Sequence, residues 1–239
     1  HREFRHIEVV KAVVSYCRKR GLTVLVEAET AEKIGGFDPV SYERIGERAQ
    51  LLIVIGGDGM MLHAARCMAP YRVPIVGVNR GRLGFLTDVA SERLIQQLDD
   101  MFDGRVIKEN RFMLEGCIIR EGRVIDTLTA LNDIYLCRGD SDKMIEFDML
   151  VDGQFVYQQR SDGIIISTPT GSTAYALSAN GPILHPSVKA IALTPLCAHS
   201  LSSRPIAVSD GATIECRLLK GADAYVHFDG QLRLPVAAG

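Results

Sequence analysis

Apolar and polar positions follow two different periods along this chain, and the change falls near residue 108. Residues 3–19 put Phe4, Ile7, Val10, Val14 and Cys17 on one helical face, with Arg and Lys opposite. Gly21 suits the residue just past a helix end, and Leu22–Val26 then reads as a strand. Ser41 predicts an N-cap for a helix over 41–49. The run Leu51–Ile55 is wholly apolar and short, which predicts a buried strand, and it stops at Gly56-Gly57-Asp58-Gly59. A helix is predicted over Met60–Ala69, stopped by Pro70, and a strand over Val73–Val78. Ser91 is expected to cap a helix carrying Leu94, Ile95, Leu98 and Phe102 inward, closed by Gly104. Strand and helix thus alternate over 1–107, which predicts an α/β domain with a Rossmann-like parallel sheet and helices on its faces.

Over 108–239 helical spacing largely vanishes. Met113–Arg120, the turn Glu121-Gly122 and Val124–Ala130 predict a hairpin. Ile145, Phe147, Met149 and Val151 alternate strictly up to Asp152-Gly153, and Phe155–Gln158 returns, a second hairpin. Ile164–Ser167, Ile191–Leu193, Thr213–Leu218 and Ala224–Phe228 add strands, with one helical stretch at Ser172–Asn180. The second domain is therefore predicted to be β-rich and sandwich-like.

Composition narrows the function only by exclusion. A net charge of −2 over 239 residues gives no electrostatic reason for nucleic acid or an anionic membrane. No apolar run approaches the roughly 18 residues of a membrane span. Six scattered cysteines without a C-x-x-C pair predict reduced thiols in a cytoplasmic protein rather than a disulfide scaffold or zinc site.

Three constellations carry candidate chemistry. The first is Asp58. An Asp among glycines is commonly a turn residue, but this one follows a buried strand and precedes a helix, whose N-terminal amides favour anions. A phosphate there would bring an acceptor hydroxyl to Asp58, with His63 one turn on as a possible donor. The second is Ser161–Tyr175, a strand running into Ser167-Thr168-Pro169-Thr170-Gly171-Ser172-Thr173-Ala174-Tyr175, six of whose nine residues bear a hydroxyl. Helix capping accounts for one or two of these; the whole run suits a ribose, a phosphate or a flat base. The third is Asn132-Asp133, an amide and an acid at the start of an apolar stretch, otherwise a turn or bulge. Arg160 and Asp162 flank Ser161 and read as a surface ion pair, and Lys143 as a solvated lysine.

Taken together, Gly56-Gly57-Asp58-Gly59, Asn132-Asp133, and Asp162-Gly163 followed by Thr168–Tyr175 resemble bacterial NAD kinases in order and approximate spacing. Arg80–Asp88 and Gly181-Pro182-Ile183-Leu184 are similar to secondary signatures of that family. The glycine loop alone also occurs in phosphofructokinases and lipid kinases; the Thr168–Tyr175 run is far more specific. The resemblance implies phosphoryl transfer from ATP to the adenosine-ribose 2′-hydroxyl of NAD. It implies Asp58 as proton acceptor with Gly59 beside it, and Asn132 and Asp133 on ribose hydroxyls. Lys143, Arg160 and Asp162 would line the dinucleotide, with Thr173, Ala174, Tyr175, Ala176, Leu177 and Ser178 around its base and amide groups. Gln231 would add a contact, a divalent cation such as Mg²⁺ would be required, and the protein would form a homo-oligomer, a dimer or tetramer. The family pattern further places a strand before residue 3 and a tail beyond Gly239. Met60 stands where the family commonly has Thr, and Asp133 where it commonly has Glu, one methylene longer.

Two other readings share some of these features. A lipid kinase would carry the glycine loop, but calls for an apolar or basic membrane-facing segment that this sequence lacks. A non-catalytic dinucleotide-binding module would have no use for Asp58.

Overall fold

The computed structural model describes residues 2–79, 85–87, 89–90, 93–140, 143–199, 203–221 and 223–238. The chain divides into two units, His1–Glu109 and Asn110–Gly239.

The first unit contains α1 (Arg2–Lys19), β1 (Val26–Glu27), α2 (Ala28–Ile34), β2 (Pro39–Val40) and α3 (Tyr42–Arg48). It continues with β3 (Leu52–Ile55), α4 (Asp58–Met68), β4 (Ile75–Asn79), β5 (Val89–Ala90) and α5 (Leu94–Phe102). Strands β3, β4 and β5 pair in parallel, in that order. Successive residues of β3 face opposite ways, as a strand requires: Ile55 packs with Val10, Val14 and Leu94, whereas Val54 packs with Met61 and Ala64 of α4. Helices thus cover both faces, and the expected α/β architecture holds. Helix α1 ends where Gly21 takes φ +72°, with Leu22 N donating to Cys17 O and Gly21 N to Arg18 O, the paired bonds of a Schellman motif. Ser41 caps α3 through Arg44 N.

Several expectations shift. The strand expected over Leu22–Val26 is only Val26–Glu27, and its Glu27 caps the unpredicted α2 by accepting from Glu29 and Thr30 N. Helix α4 begins at Asp58, two residues before Met60, so the acid lies in its first turn. Ile95, expected inward, is 43% exposed. The Ser91 cap and the Arg80–Gly84 and Asp88 portions of the secondary signature lie outside the described residues.

The second unit is β-rich: β6 (Leu114–Arg120), β7 (Arg123–Ala130), β8 (Asp133–Arg138), β9 (Ile145–Val151), β10 (Gln154–Ser161) and β11 (Gly163–Ser167). Helix α6 (Tyr175–Ser178) follows, then β12 (Ala190–Leu196), β13 (Ile206–Ser209), β14 (Ile214–Lys220), β15 (Ala224–Phe228) and β16 (Leu232–Val236). A six-stranded antiparallel sheet has the order β13-β12-β11-β8-β15-β16, beside a three-stranded sheet β10-β9-β14 and the hairpin β6-β7. One face of the large sheet carries Ile134, Leu136, Ile164, Leu193 and Phe228, which pack with Ile145, Phe147 and Met149 of β9 into one core. The other face carries the alternate residues, and α6 lies on it through Ala176, against Ile165 and Leu196. The helix expected over Ser172–Asn180 is thus a 3-10 turn, Gly171–Thr173, followed by four helical residues.

Candidate functional site

In the first unit, Gly56 N still donates to Val78 O at 2.9 Å, so the sheet ladder runs up to the turn that precedes Asp58. A Cβ on Gly56 would come within 2.8 Å of the Met60 sulfur, while one on Gly57 would meet open space. A side chain at 56 would thus crowd Met60, which would have to shift to admit it. At 57 no atom of the described residues demands glycine, which leaves room among them for a ligand to approach the backbone. Both oxygens of Asp58 accept backbone amides from the segment after β4: Phe85 N at 3.0 Å and Leu86 N at 3.1 Å. A carboxylate oxygen has two lone pairs, so this anchoring fixes the group and leaves each oxygen able to accept once more. His63 is turned toward α3: its ring meets Tyr42 edge-on at 5.2 Å, and its Nε2 lies 3.7 Å from Cys67 Sγ.

In the second unit, the face of the large sheet away from the core gathers most of the remaining candidates. Asp133 opens β8 and is 3% exposed, directly across from Ser167 at the end of β11. The segment entering β8 is held from both sides. Asp229, in the β15–β16 turn, accepts Asn132 N at 2.7 Å, Leu131 N at 3.1 Å and Asp133 N at 3.4 Å. Thr168 donates its hydroxyl to Leu131 O at 2.6 Å and its amide to Asn132 O at 2.9 Å. Burial, with the charge of Asp229 nearby, pushes the Asp133 carboxyl up to about 7. Asn132 Oδ1 and Ser167 Oγ are buried without a hydrogen-bond partner among the described residues, which leaves both available to a polar ligand.

The hydroxyl-rich loop is more self-engaged than its composition suggests. Ser172 Oγ donates to Pro169 O, Thr173 Oγ1 to Thr170 O, and Thr168 braces residue 131 as above. Thr170 accepts from Arg111 Nη1. These hydroxyls build a loop that presents Ser167 and α6. In α6, Ala176 is buried, Tyr175, Leu177 and Ser178 are exposed, and Ala174 precedes them half-buried.

Arg160 and Asp162 do not form the expected ion pair. The chain leaves the small sheet after Ser161 and enters the large one at Gly163, so the two side chains serve different sheets. Asp162 pairs with Arg138 Nε at 2.6 Å. Arg160 instead lines a cavity of about 410 Å³ together with Lys143, Glu146, Lys220 and Asp223. Gln231 lies two residues beyond Asp229 in the same turn, its amide donating to Phe228 O. The Asp133 and Asp162 positions mark opposite ends of β8, five residue steps or roughly 17 Å apart. Asp229 was not singled out from sequence. Its three amide contacts lie 96 to 98 positions away, and only its place two residues before Gln231 pointed to it.

Comparison with known proteins agrees along the whole chain. A family model described as the ATP-NAD kinase N-terminal domain matches residues 3–106, and the ATP-NAD kinase C-terminal domain matches residues 131–239. The chain is 58% identical to an NAD kinase of Azoarcus sp. (strain BH72), covering 97% of this chain and 80% of that protein. It is 52% identical to an NAD kinase of Aromatoleum aromaticum, covering 97% and 78%. Among solved structures, yeast NADH kinase complexed with NADH superposes with a TM-score of 0.86 at 29% identity, covering 97% of this chain and 72% of that one. An NAD kinase from Archaeoglobus fulgidus in complex with ATP gives 0.77 at 28%, covering 96% and 83%.

Proposed function

The chain belongs to the ATP-NAD kinase family and is a phosphotransferase that makes NADP from NAD with ATP; we propose that Asp58 is its proton acceptor and that the face of the large sheet bearing Asp133 holds the dinucleotide. The observation that carries this reading is the anchoring of Asp58. A carboxylate at a strand-to-helix junction, fixed by two amides and still able to accept, is placed to orient a sugar hydroxyl. Phosphoryl transfer asks chiefly for such positioning, and a weak base that takes the proton late is sufficient. The first turn of α4 favours the anionic phosphate at the same place.

Asn132, through its unpartnered Oδ1, and Asp133 hold ribose hydroxyls. Ser167 serves the same end of the sheet, and Gln231 borders it. Asp162, together with Lys143 and Arg160, serves the other end of the dinucleotide. The length of β8 suits a ligand with two nucleoside ends better than a mononucleotide. Thr173 to Ser178 present the backbone and the Tyr175 ring to a flat base. Gly59 lies beside Asp58 in the first helical turn, and His63, one turn further, would serve as a secondary phosphate donor only by turning away from Tyr42 and Cys67.

Mg²⁺ supplies charge neutralisation on the phosphates when bound. Among the described residues no three His, Cys, Asp or Glu side chains cluster as metal ligands. We propose that the cation is held mainly by the nucleotide phosphates and its own waters, as Mg²⁺ commonly is. All six cysteines are free, and no helix among the described residues is long and apolar enough to cross a membrane. We place the protein in the cytoplasm, as a homo-oligomer. The direct test is incubation with NAD, ATP and Mg²⁺ and chromatographic detection of NADP. NADP formation is expected; none with any donor or metal would overturn the reading.

A further inference from the structure

Helix α6 presents Tyr175 but does little to hold it. The helix has four residues, starts without a side-chain cap, and is docked through Ala176, while Tyr175 itself is 43% exposed. Such a ring keeps much of its rotamer freedom unless a neighbour restricts it.

That neighbour is Tyr135. The two rings meet nearly edge-to-face, 5.1 Å between centroids and 70° between planes. This geometry places the positive edge of one ring on the negative face of the other. Tyr135 is in turn stacked on His227, at 4.4 Å and 8°. His227 is its direct cross-strand partner on β15, so the stack is fixed by sheet register rather than by flexible side chains. Burial and the nearby Arg233 hold His227 below the ordinary imidazole range, which keeps the stacked ring neutral at neutral pH. Arg233 itself lies over the ring of Tyr225, 3.5 Å from its centroid. The sequence shows nothing of this arrangement. Tyr135 reads there as one residue of an apolar strand, and His227 lies 92 positions away.

We propose that Tyr135, backed by His227, is a positioning residue for the dinucleotide: it fixes the ring of Tyr175 as a wall against which a flat ring of NAD rests. The proposal rests on the reading of Tyr175 as part of the NAD site. It assigns a task to two residues outside the set named for the site above.

The test is steady-state kinetics with NAD and ATP varied separately, on the wild type and on Tyr135→Phe, Tyr135→Val and His227→Ala. Valine keeps strand propensity and removes the ring, so KM for NAD should rise about tenfold, with kcat and KM for ATP within about twofold. Phenylalanine keeps the ring and should restore KM for NAD. His227→Ala removes only the backing and should raise KM for NAD by about threefold. It also provides the answer if the valine variant melts at assay temperature. An unchanged KM for NAD in both ring-removing variants would overturn the proposal. So would an equal loss across kcat and both KM values, or a failure of phenylalanine to restore binding. A wild type that makes no NADP would instead overturn the reading of the site, and this proposal with it.

Discussion

The carboxylates of the two units are treated differently by the fold. Asp58 is half-buried and anchored by amides, whereas Asp133 is buried beside Asp229, and burial makes its charge costly. The folded chain keeps the Asp133 proton up to about pH 7, while the unfolded chain releases it near 3.8. Between those values the native state binds more protons than the unfolded state. The contribution of Asp133 to stability is therefore fully present below the lower value and is lost as pH rises toward the upper. Urea denaturation of the wild type should show this fall, and Asp133→Asn should flatten it. Ribose hydroxyls favour the ionised form, so NAD affinity should strengthen as pH rises through about 7, a trend absent in Asp133→Asn. Asp229→Ala leaves three amides without their acceptor and should cost about 2–4 kcal/mol in denaturation, with loss of NAD binding. Retention of both stability and affinity would show that the clamp is idle.

Where an element rests on its own residues, the sequence was readable; where it rests on distant partners, it was not. The strict alternation in 145–151 and the turn at Asp152-Gly153 specify β9 and its hairpin without help. Helix α2 escaped notice because only Ala31 of its seven residues is buried, leaving no apolar stripe to see. In β8 the alternation is present, but Asp133, Tyr135 and Cys137 on the alternate face disguise it. Asn132 and Asp133 stood out as an amide and an acid entering an apolar run; their fixation by Asp229 and Thr168 belongs to tertiary structure. The hydroxyls of 168–173 were readable as a cluster, yet most of them brace their own loop, a distinction composition does not carry. Gly171 makes the dependence testable. A Cβ there would overlap the backbone of Asn132. Gly171→Ala should therefore lower the melting temperature by about 5–10 °C and weaken NAD binding. An unchanged melt would mean that the loop does not pack on residue 132 as described.

On the proposed assignment, the parallel α/β unit contributes the reactive acid, and the antiparallel unit contributes the groups for ribose and base. The family matches, 3–106 and 131–239, each fall within one of the two units. With Mg²⁺ held by the nucleotide phosphates, as proposed, chelation by EDTA should stop NADP formation while leaving the melting temperature and NAD binding unchanged. A melt that drops on chelation would indicate a structural metal. The central claim is that Asp58, in contact with the sugar hydroxyl of NAD, acts on it as the base and contributes little to NAD affinity. It is tested most directly by measuring NADP formation and NAD binding side by side for Asp58→Asn. Asparagine keeps the size of the side chain and one of its two amide anchors but removes the base, so turnover should fall by about 10²–10⁴-fold while the dissociation constant for NAD stays within about twofold. Near-normal turnover in that variant would contradict the assignment.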